Sequence, residues 1–187
     1  MAEAITFPET MALEDKLPVN ITAVEEMCDS YKAQKEKTQY VRAGVKRLCE
    51  DMQEINDDMV EILSSKYAFF VGSLEILDVD SLDEDSFYRI AHYLELTEKR
   101  ETDYVDWRNR IRSAIVKMRE CKGRFPGAAI EIFKFTRIAN KTVKNMDRIL
   151  SVLRESHWRM SIIHNARRTH SPKIHNSADE ALKALWK

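Results

Sequence analysis

Histidines and cysteines are the residues of this chain best suited to bind metals or to act as nucleophiles. Four of the five histidines lie near the C-terminal end, and His157 and His164 are seven residues apart, so they share one face of a helix. A metal site needs a further ligand in fixed geometry, and neither Glu155 nor a Glu-x-x-His motif supplies it. Structural histidines are therefore favoured, and we expect no metal and no cofactor.

The three cysteines, Cys28, Cys49 and Cys121, are odd in number and far apart in sequence. This arrangement does not suit a disulfide framework and favours a reducing, cytoplasmic location. Basic neighbours make Cys121 a candidate for a reactive thiol, but it has no histidine beside it. A buried structural cysteine is the better prediction.

The remaining catalytic signatures are missing from the sequence. The acidic stretch that starts at Asp78 lacks the glycine of a calcium loop, and Arg89 stands where the bidentate glutamate is required. No glycine-rich phosphate loop, nucleophile elbow or zinc-protease motif occurs. We therefore expect no enzymatic activity.

The elements that must position these residues are long helices. Apolar residues repeat every seven positions from residue 24 to residue 62, and no proline occurs between Pro18 and Pro126. This pattern predicts one continuous helix of roughly 60 Å, packed as in a coiled coil. The two series are Val24, Tyr31, Thr38, Val45, Met52, Met59 and Met27, Gln34, Val41, Leu48, Ile55, Ile62.

Two more long helices follow, over residues 82 to 122 and 128 to 168, and Gly123, Pro126 and Gly127 separate them. Because short connections make neighbouring helices antiparallel, we predict an all-α fold. Its core is an elongated antiparallel three-helix bundle of coiled-coil type over residues 21 to 168. Polar residues interrupt the seams and either set the register or lie exposed; they are Gln34, Thr38, Glu101 and Arg108.

The two ends of the chain are predicted to lie outside this bundle. Residues 1 to 20 form an N-terminal arm, either disordered or held along the bundle. Residues 169 to 187 form a C-terminal tail with a short amphipathic helix, which packs on its own bundle or contacts a partner. The sequence has no secretory signal and no apolar run long enough to span a membrane, so no membrane association is expected.

The net charge of −1 conceals a strong separation of charge along the chain. Residues 50 to 106 sum to −13, whereas residues 32 to 47, 108 to 124 and 127 to 148 sum to +5, +6 and +3. In an antiparallel rod the acidic segments would meet at one end and the three basic segments at the other. The sequence therefore predicts a bundle with one acidic pole and one basic pole.

The third helix carries the sharpest feature, five bases at spacings of 3, 4, 3 and 4 opposite its apolar seam. Two structural explanations are open: the bases face solvent, or they lean on acids of the first two helices. The third explanation is an external anionic partner. The candidate partner-binding residues are Lys134, Arg137, Lys141, Lys144 and Arg148, together with Arg110, Arg112 and Arg119 of the second helix.

These patterns predict a non-enzymatic helical interaction protein, such as an adaptor, scaffold or inhibitor. A protein partner is favoured, and a homodimer through charged surfaces or uncovered seams is the second possibility. The alternative is a nucleic-acid-binding protein that uses the basic pole, with Trp107 available to stack a base. Against it stand the acidic segments and the absence of a nucleic-acid-binding motif.

Overall fold

The computed structural model describes residues 12–33, 38–64 and 83–170, and the statements below concern these residues. They form four α-helices without any strand: α1 (Ala12–Ala33), α2 (Thr38–Ile62), α3 (Glu84–Arg124) and α4 (Ala129–His170). The predicted all-α fold is confirmed. Over the same residues, no helix combines the length and the apolar character needed to cross a membrane. The predicted tail helix over residues 178 to 186 lies outside the described part of the chain.

The continuous helix predicted over residues 24 to 62 is wrong, because α1 ends at Ala33 and α2 begins at Thr38. The two helices are antiparallel, since the Tyr31 side chain lies against Gly44 and Lys16 is near enough to act on the Asp58 carboxylate. Apart from the half-buried Met27, the apolar members of the series whose burial is described stay buried in both helices. A seven-residue repeat specifies which face is buried, and a chain that folds back can bury the same face. Four packed helices therefore replace the predicted three.

α1 also starts earlier than predicted, so that residues 12 to 20 belong to it and not to an arm. The buried stripe explains this start, because Leu17 continues the series of Val24 toward the N-terminus, Ile21 lies between them on the same side of the helix, and all three are buried. Pro18 lies inside the helix. The Thr22 hydroxyl donates a hydrogen bond to the Pro18 carbonyl at 2.7 Å.

α3 and α4 begin and end within two residues of the predicted positions. Asp83 caps α3 by accepting a hydrogen bond from the Ser86 amide at 2.8 Å. A single turn of 3-10 helix, Pro126–Ala128, joins the two helices. They form an antiparallel hairpin, and their predicted seams are buried from Tyr104 to Met118 and from Ile132 to Leu153.

The two hairpins pack side by side. α1 contacts α2 and α3, and α4 contacts α2 and α3, so that the helices stand at the corners of a square. Contacts from Arg100 to Glu14 and from Lys117 to Asp29 show that α1 runs parallel to α3. Arg42 reaches Glu131, which places the start of α2 at the same end as the Pro126–Ala128 turn. The helices of each hairpin are therefore antiparallel, whereas α1 with α3 and α2 with α4 are parallel neighbours around one core.

Candidate functional site

Two of the histidines, His157 and His164, lie in contacts between α3 and α4. His157 Nδ1 is 3.2 Å from the Thr97 hydroxyl, and the His164 ring stacks on Phe87 with ring centroids 4.8 Å apart. Over residues 12–33, 38–64 and 83–170, no group of three or more His, Cys, Asp or Glu side chains is placed to hold a metal ion. These histidines contribute to packing between the long helices.

The cysteines are reduced and inward-facing. Burial raises the pKa of the Cys28 thiol to about 12 and that of the Cys49 thiol to about 11. Cys121, the candidate for a reactive thiol, is buried in the core. Because the thiolate is the nucleophile, thiols that hold their protons this tightly are poor nucleophiles.

The five bases predicted on the third helix lie on α4 and are all exposed. We call them the basic stripe. Among the described residues none of them forms an ion pair, so they do not pair with any described acid of the other helices. Solvation and an external partner remain as explanations. The members are Lys134, Arg137, Lys141, Lys144 and Arg148.

The three candidate arginines of α3 differ in whether they form ion pairs within the fold. Arg110 forms an ion pair with Glu25 at 2.7 Å and donates to the Thr22 hydroxyl, so it ties α3 to α1. Arg112 lies 3.7 Å from Asp147 of α4. Arg119 is exposed and, within the described part of the chain, has no ion pair. Two of the three predicted arginines therefore act inside the fold.

Trp107 is buried, with 5 % of its surface exposed, and packs edge to face on Tyr104 at 4.9 Å between ring centroids. A side chain in this position cannot stack on a base. The two charged residues that interrupt the α3 seam are paired across to α4. Arg108 reaches Asp147 at 2.9 Å, and Glu101 accepts from Arg154 at 2.6 Å.

The predicted separation of charge into two poles holds only in part. Arg42 reaches Glu131, so the bases at the start of α2, at the end of α3 and at the start of α4 do meet at the turn end. However, the Asn145 side chain donates to Asn56 at 3.0 Å. This contact places the acidic second half of α2 beside the basic stripe instead of at the opposite end. The prediction of an acidic pole is wrong for α2.

The structure also reveals a charged surface that the sequence argument missed. The second half of α2 carries four exposed acids at spacings of 4, 3 and 4, which we call the acidic stripe: Glu50, Glu54, Asp57 and Glu61. The field of this stripe reaches its neighbours. Burial first, and then Glu54, raise the pKa of both Asp51 and Asp58. The spacing was visible in the sequence, but only the folded hairpin shows that these acids share an outward face.

Comparisons of the chain with protein-family models, with curated proteins and with solved structures find no match. The two charged stripes are therefore the features from which a function must be argued.

Proposed function

We propose that the chain is a non-enzymatic helical interaction protein, an adaptor, scaffold or inhibitor, whose basic stripe binds the acidic surface of a protein partner. One observation carries the proposal: five bases in succession on one helix face are exposed and, among the described residues, have no ion pair. The stripe extends over roughly 21 Å of α4. A cytoplasmic location, which the free thiols support, and coiled-coil packing of the seams belong to the same proposal.

The bases in the contact between α1 and α3 provide the contrast. Arg100, Arg110 and Lys117 each find a carboxylate on α1. The basic stripe instead places like charges one turn apart, which costs roughly 0.2–0.5 kcal/mol per neighbouring pair. An acidic partner relieves this repulsion, and complementary charge speeds and orients its association.

Nucleic acid is the weaker alternative. Trp107 is buried and cannot stack a base, while Arg108, Arg110 and Arg112 already contact carboxylates of the chain. The acidic stripe beside the basic one would also repel a phosphate backbone that extended past α4.

Fluorescence anisotropy with two labelled probes tests the proposal, a poly-L-glutamate peptide and a single-stranded oligonucleotide, at about 0.15 M salt. Wild type should bind polyglutamate, and Lys141→Glu with Lys144→Glu should weaken binding by about tenfold or more. The control, Lys99→Glu with Lys122→Glu, changes two exposed bases outside the stripe and alters the net charge equally. Its affinity should stay within about twofold of wild type.

Equal loss in both double variants would show that net charge alone drives binding and would overturn the proposal. Oligonucleotide binding that is tighter than polyglutamate binding, and that is lost in the stripe variant alone, would establish the nucleic-acid alternative in its place.

A further inference from the structure

The acidic and basic stripes lie at the same height on neighbouring helices. Three described contacts join the two helices, Arg42 with Glu131, Cys49 with the Glu131 carbonyl, and Asn56 with Asn145. Their members are 89, 82 and 89 residues apart in sequence, so α2 and α4 run parallel. In this arrangement, residues 50 to 61 of α2 lie beside the segment of α4 between residues 132 and 150. The basic stripe occupies residues 134 to 148. The two stripes thus overlap along most of their length.

The stripes face outward and do not neutralise each other. The inward side of each helix is fixed by buried residues, such as Ile55 and Asn56 on α2, and the charged residues stand on the opposite side. Glu50 and Glu54, like the bases of the basic stripe, form no ion pair within the described part of the chain. One side of the bundle therefore displays a line of acids and a line of bases next to each other.

We infer that this face, formed by the outer surfaces of α2 and α4, binds a second copy of the chain about a two-fold axis parallel to the helices. The inference rests on the proposed function, because it identifies the acidic surface that the basic stripe binds. Such a rotation preserves height and exchanges left with right, so that α2 of each copy lies opposite α4 of the other. Each acidic stripe then meets a basic stripe, twice in one symmetric interface.

Charge disfavours the other face-to-face two-fold arrangement. A two-fold axis perpendicular to the helices at the height of the stripes would place α2 opposite α2 and α4 opposite α4, with acids facing acids and bases facing bases. An unrelated acidic helix would satisfy the basic stripe but would leave Glu50 and Glu54 of the acidic stripe without a counter-charge. A second copy satisfies both stripes at once.

The relative position of the two helices identifies the expected contacts. Glu54 lies level with residues 136 to 143 of α4 and so faces Lys141 of the second copy. Asp57 lies level with residues 139 to 146 and so faces Lys141 and Lys144.

Sedimentation velocity over a range of protein concentrations, at about 0.05 M and about 0.5 M salt, tests the inference. Wild type should dimerise at low salt and dissociate at high salt. Two variants place like charges across the interface: Lys141→Glu with Lys144→Glu, and Glu54→Lys with Asp57→Lys. Each alone should be monomeric, with association weakened by about a hundredfold or more. A mixture of the two should dimerise as wild type does, because every opposed pair is again of opposite sign.

A control separates this interface from a general effect of charge. Lys99→Glu with Lys122→Glu changes the net charge by the same amount as the first variant and should stay dimeric.

A wild-type monomer at both salt concentrations, or a mixture that fails to associate, would overturn the inference. A dimer that survives either double variant would do the same, because the contact would then lie elsewhere. If the chain remains monomeric while its basic stripe still binds polyglutamate, the inference fails and the proposed function stands. If polyglutamate binding is also absent, both fail.

Discussion

The contact between α1 and α3 and the contact between α2 and α4 use charge in different ways. Between α1 and α3, Glu14 is 3 % exposed and accepts a hydrogen bond from the Tyr104 hydroxyl at 2.9 Å while it pairs with Arg100. Arg110 with Glu25 and Lys117 with Asp29 extend the same contact. Between α2 and α4, the described polar contacts are the Arg42–Glu131 pair, the Cys49 thiol on the Glu131 carbonyl and the Asn56–Asn145 hydrogen bond.

The difference separates charge that holds the fold together from charge that is left for a partner. A buried ion pair is costly to break, because removing one member leaves the other without compensation in a desolvated site. Exposed charges contribute little to folding but set the rate and specificity of association. On this basis the α1–α3 contact is part of the stability of the chain, whereas the outer surfaces of α2 and α4 are its means of recognition.

The largest effect is expected from Arg100→Ala, which breaks the buried pair between α1 and α3. Arg100 is only 13 % exposed and lies 3.3 Å from the Glu14 carboxylate. Without it, a buried carboxylate loses its counter-charge, and the free energy of unfolding should fall by about 3 kcal/mol. Urea denaturation followed by circular dichroism measures this change.

The matched substitution in the contact between α2 and α4 is Arg42→Ala, because the Arg42 side chain is mostly exposed in its pair with Glu131. It should cost less than about 1 kcal/mol. Equal losses in the two variants would abolish the distinction between the two contacts.

A smaller effect is expected at the contact between α1 and α2. This contact joins the α1–α3 pair to the α2–α4 pair in one bundle. A Cβ atom on Gly44 would collide with the Tyr31 side chain. Alanine normally stabilises a helix by about 1 kcal/mol over glycine, but Gly44→Ala should destabilise this one by about 2 kcal/mol through overpacking.

Gly123 in α3 offers the control, since a Cβ atom there would meet nothing within 4 Å. Gly123→Ala should be neutral or stabilising by up to about 1 kcal/mol in the same urea titration. If Gly44→Ala were also stabilising, α1 and α2 would not be packed closely at Tyr31, and the antiparallel hairpin would be in doubt.

The sequence predicts burial better than it predicts chain direction. Apolar positions such as Val24, Leu48 and Met52 are buried as predicted, because the seven-residue repeat depends only on which side of a helix faces the core. Residues 34 to 37 read Gln-Lys-Glu-Lys and contain neither glycine nor proline. Since these residues carry no signal that ends a helix, the separation of α1 from α2 depends on tertiary packing. Gly44, which admits Tyr31, is the one local sign of that packing.

The candidate binding surface was likewise predictable from the sequence only in part. The spacing of Lys134, Arg137 and Lys141 placed the basic stripe opposite the apolar seam, and the structure exposes it there. The position of the basic stripe level with Glu54 depends on the hairpin of α1 and α2, and the seven-residue periodicity does not specify that hairpin. The Asn56–Asn145 hydrogen bond, which fixes that level, joins residues far apart in sequence, and no single-helix pattern identifies such a pair.

The smallest expected effect tests whether the carboxylates on the outer surface of α2 repel one another. Burial, and then the nearby Glu54 carboxylate, raise the pKa of Asp51 above its ordinary value. An acid with a raised pKa in the folded state favours folding while protonated, and that contribution is lost as pH rises through the folded pKa. Asp51→Asn should therefore match wild type near pH 3 and exceed its stability at pH 7, by no more than about 0.5 kcal/mol in urea at low protein concentration.

Asp83 provides a control of opposite sign on α3. Its carboxylate accepts a hydrogen bond from Ser86 at the start of the helix, which lowers the pKa of Asp83. A lowered pKa contributes stability above the unfolded value, and this stability is lost as pH falls. Asp83→Asn should therefore be less stable than wild type at pH 7, and the difference should shrink in acid. If both variants shifted in the same direction with pH, the acids of α2 would be ordinary solvated carboxylates, and α2 would carry no repulsion for a partner to relieve.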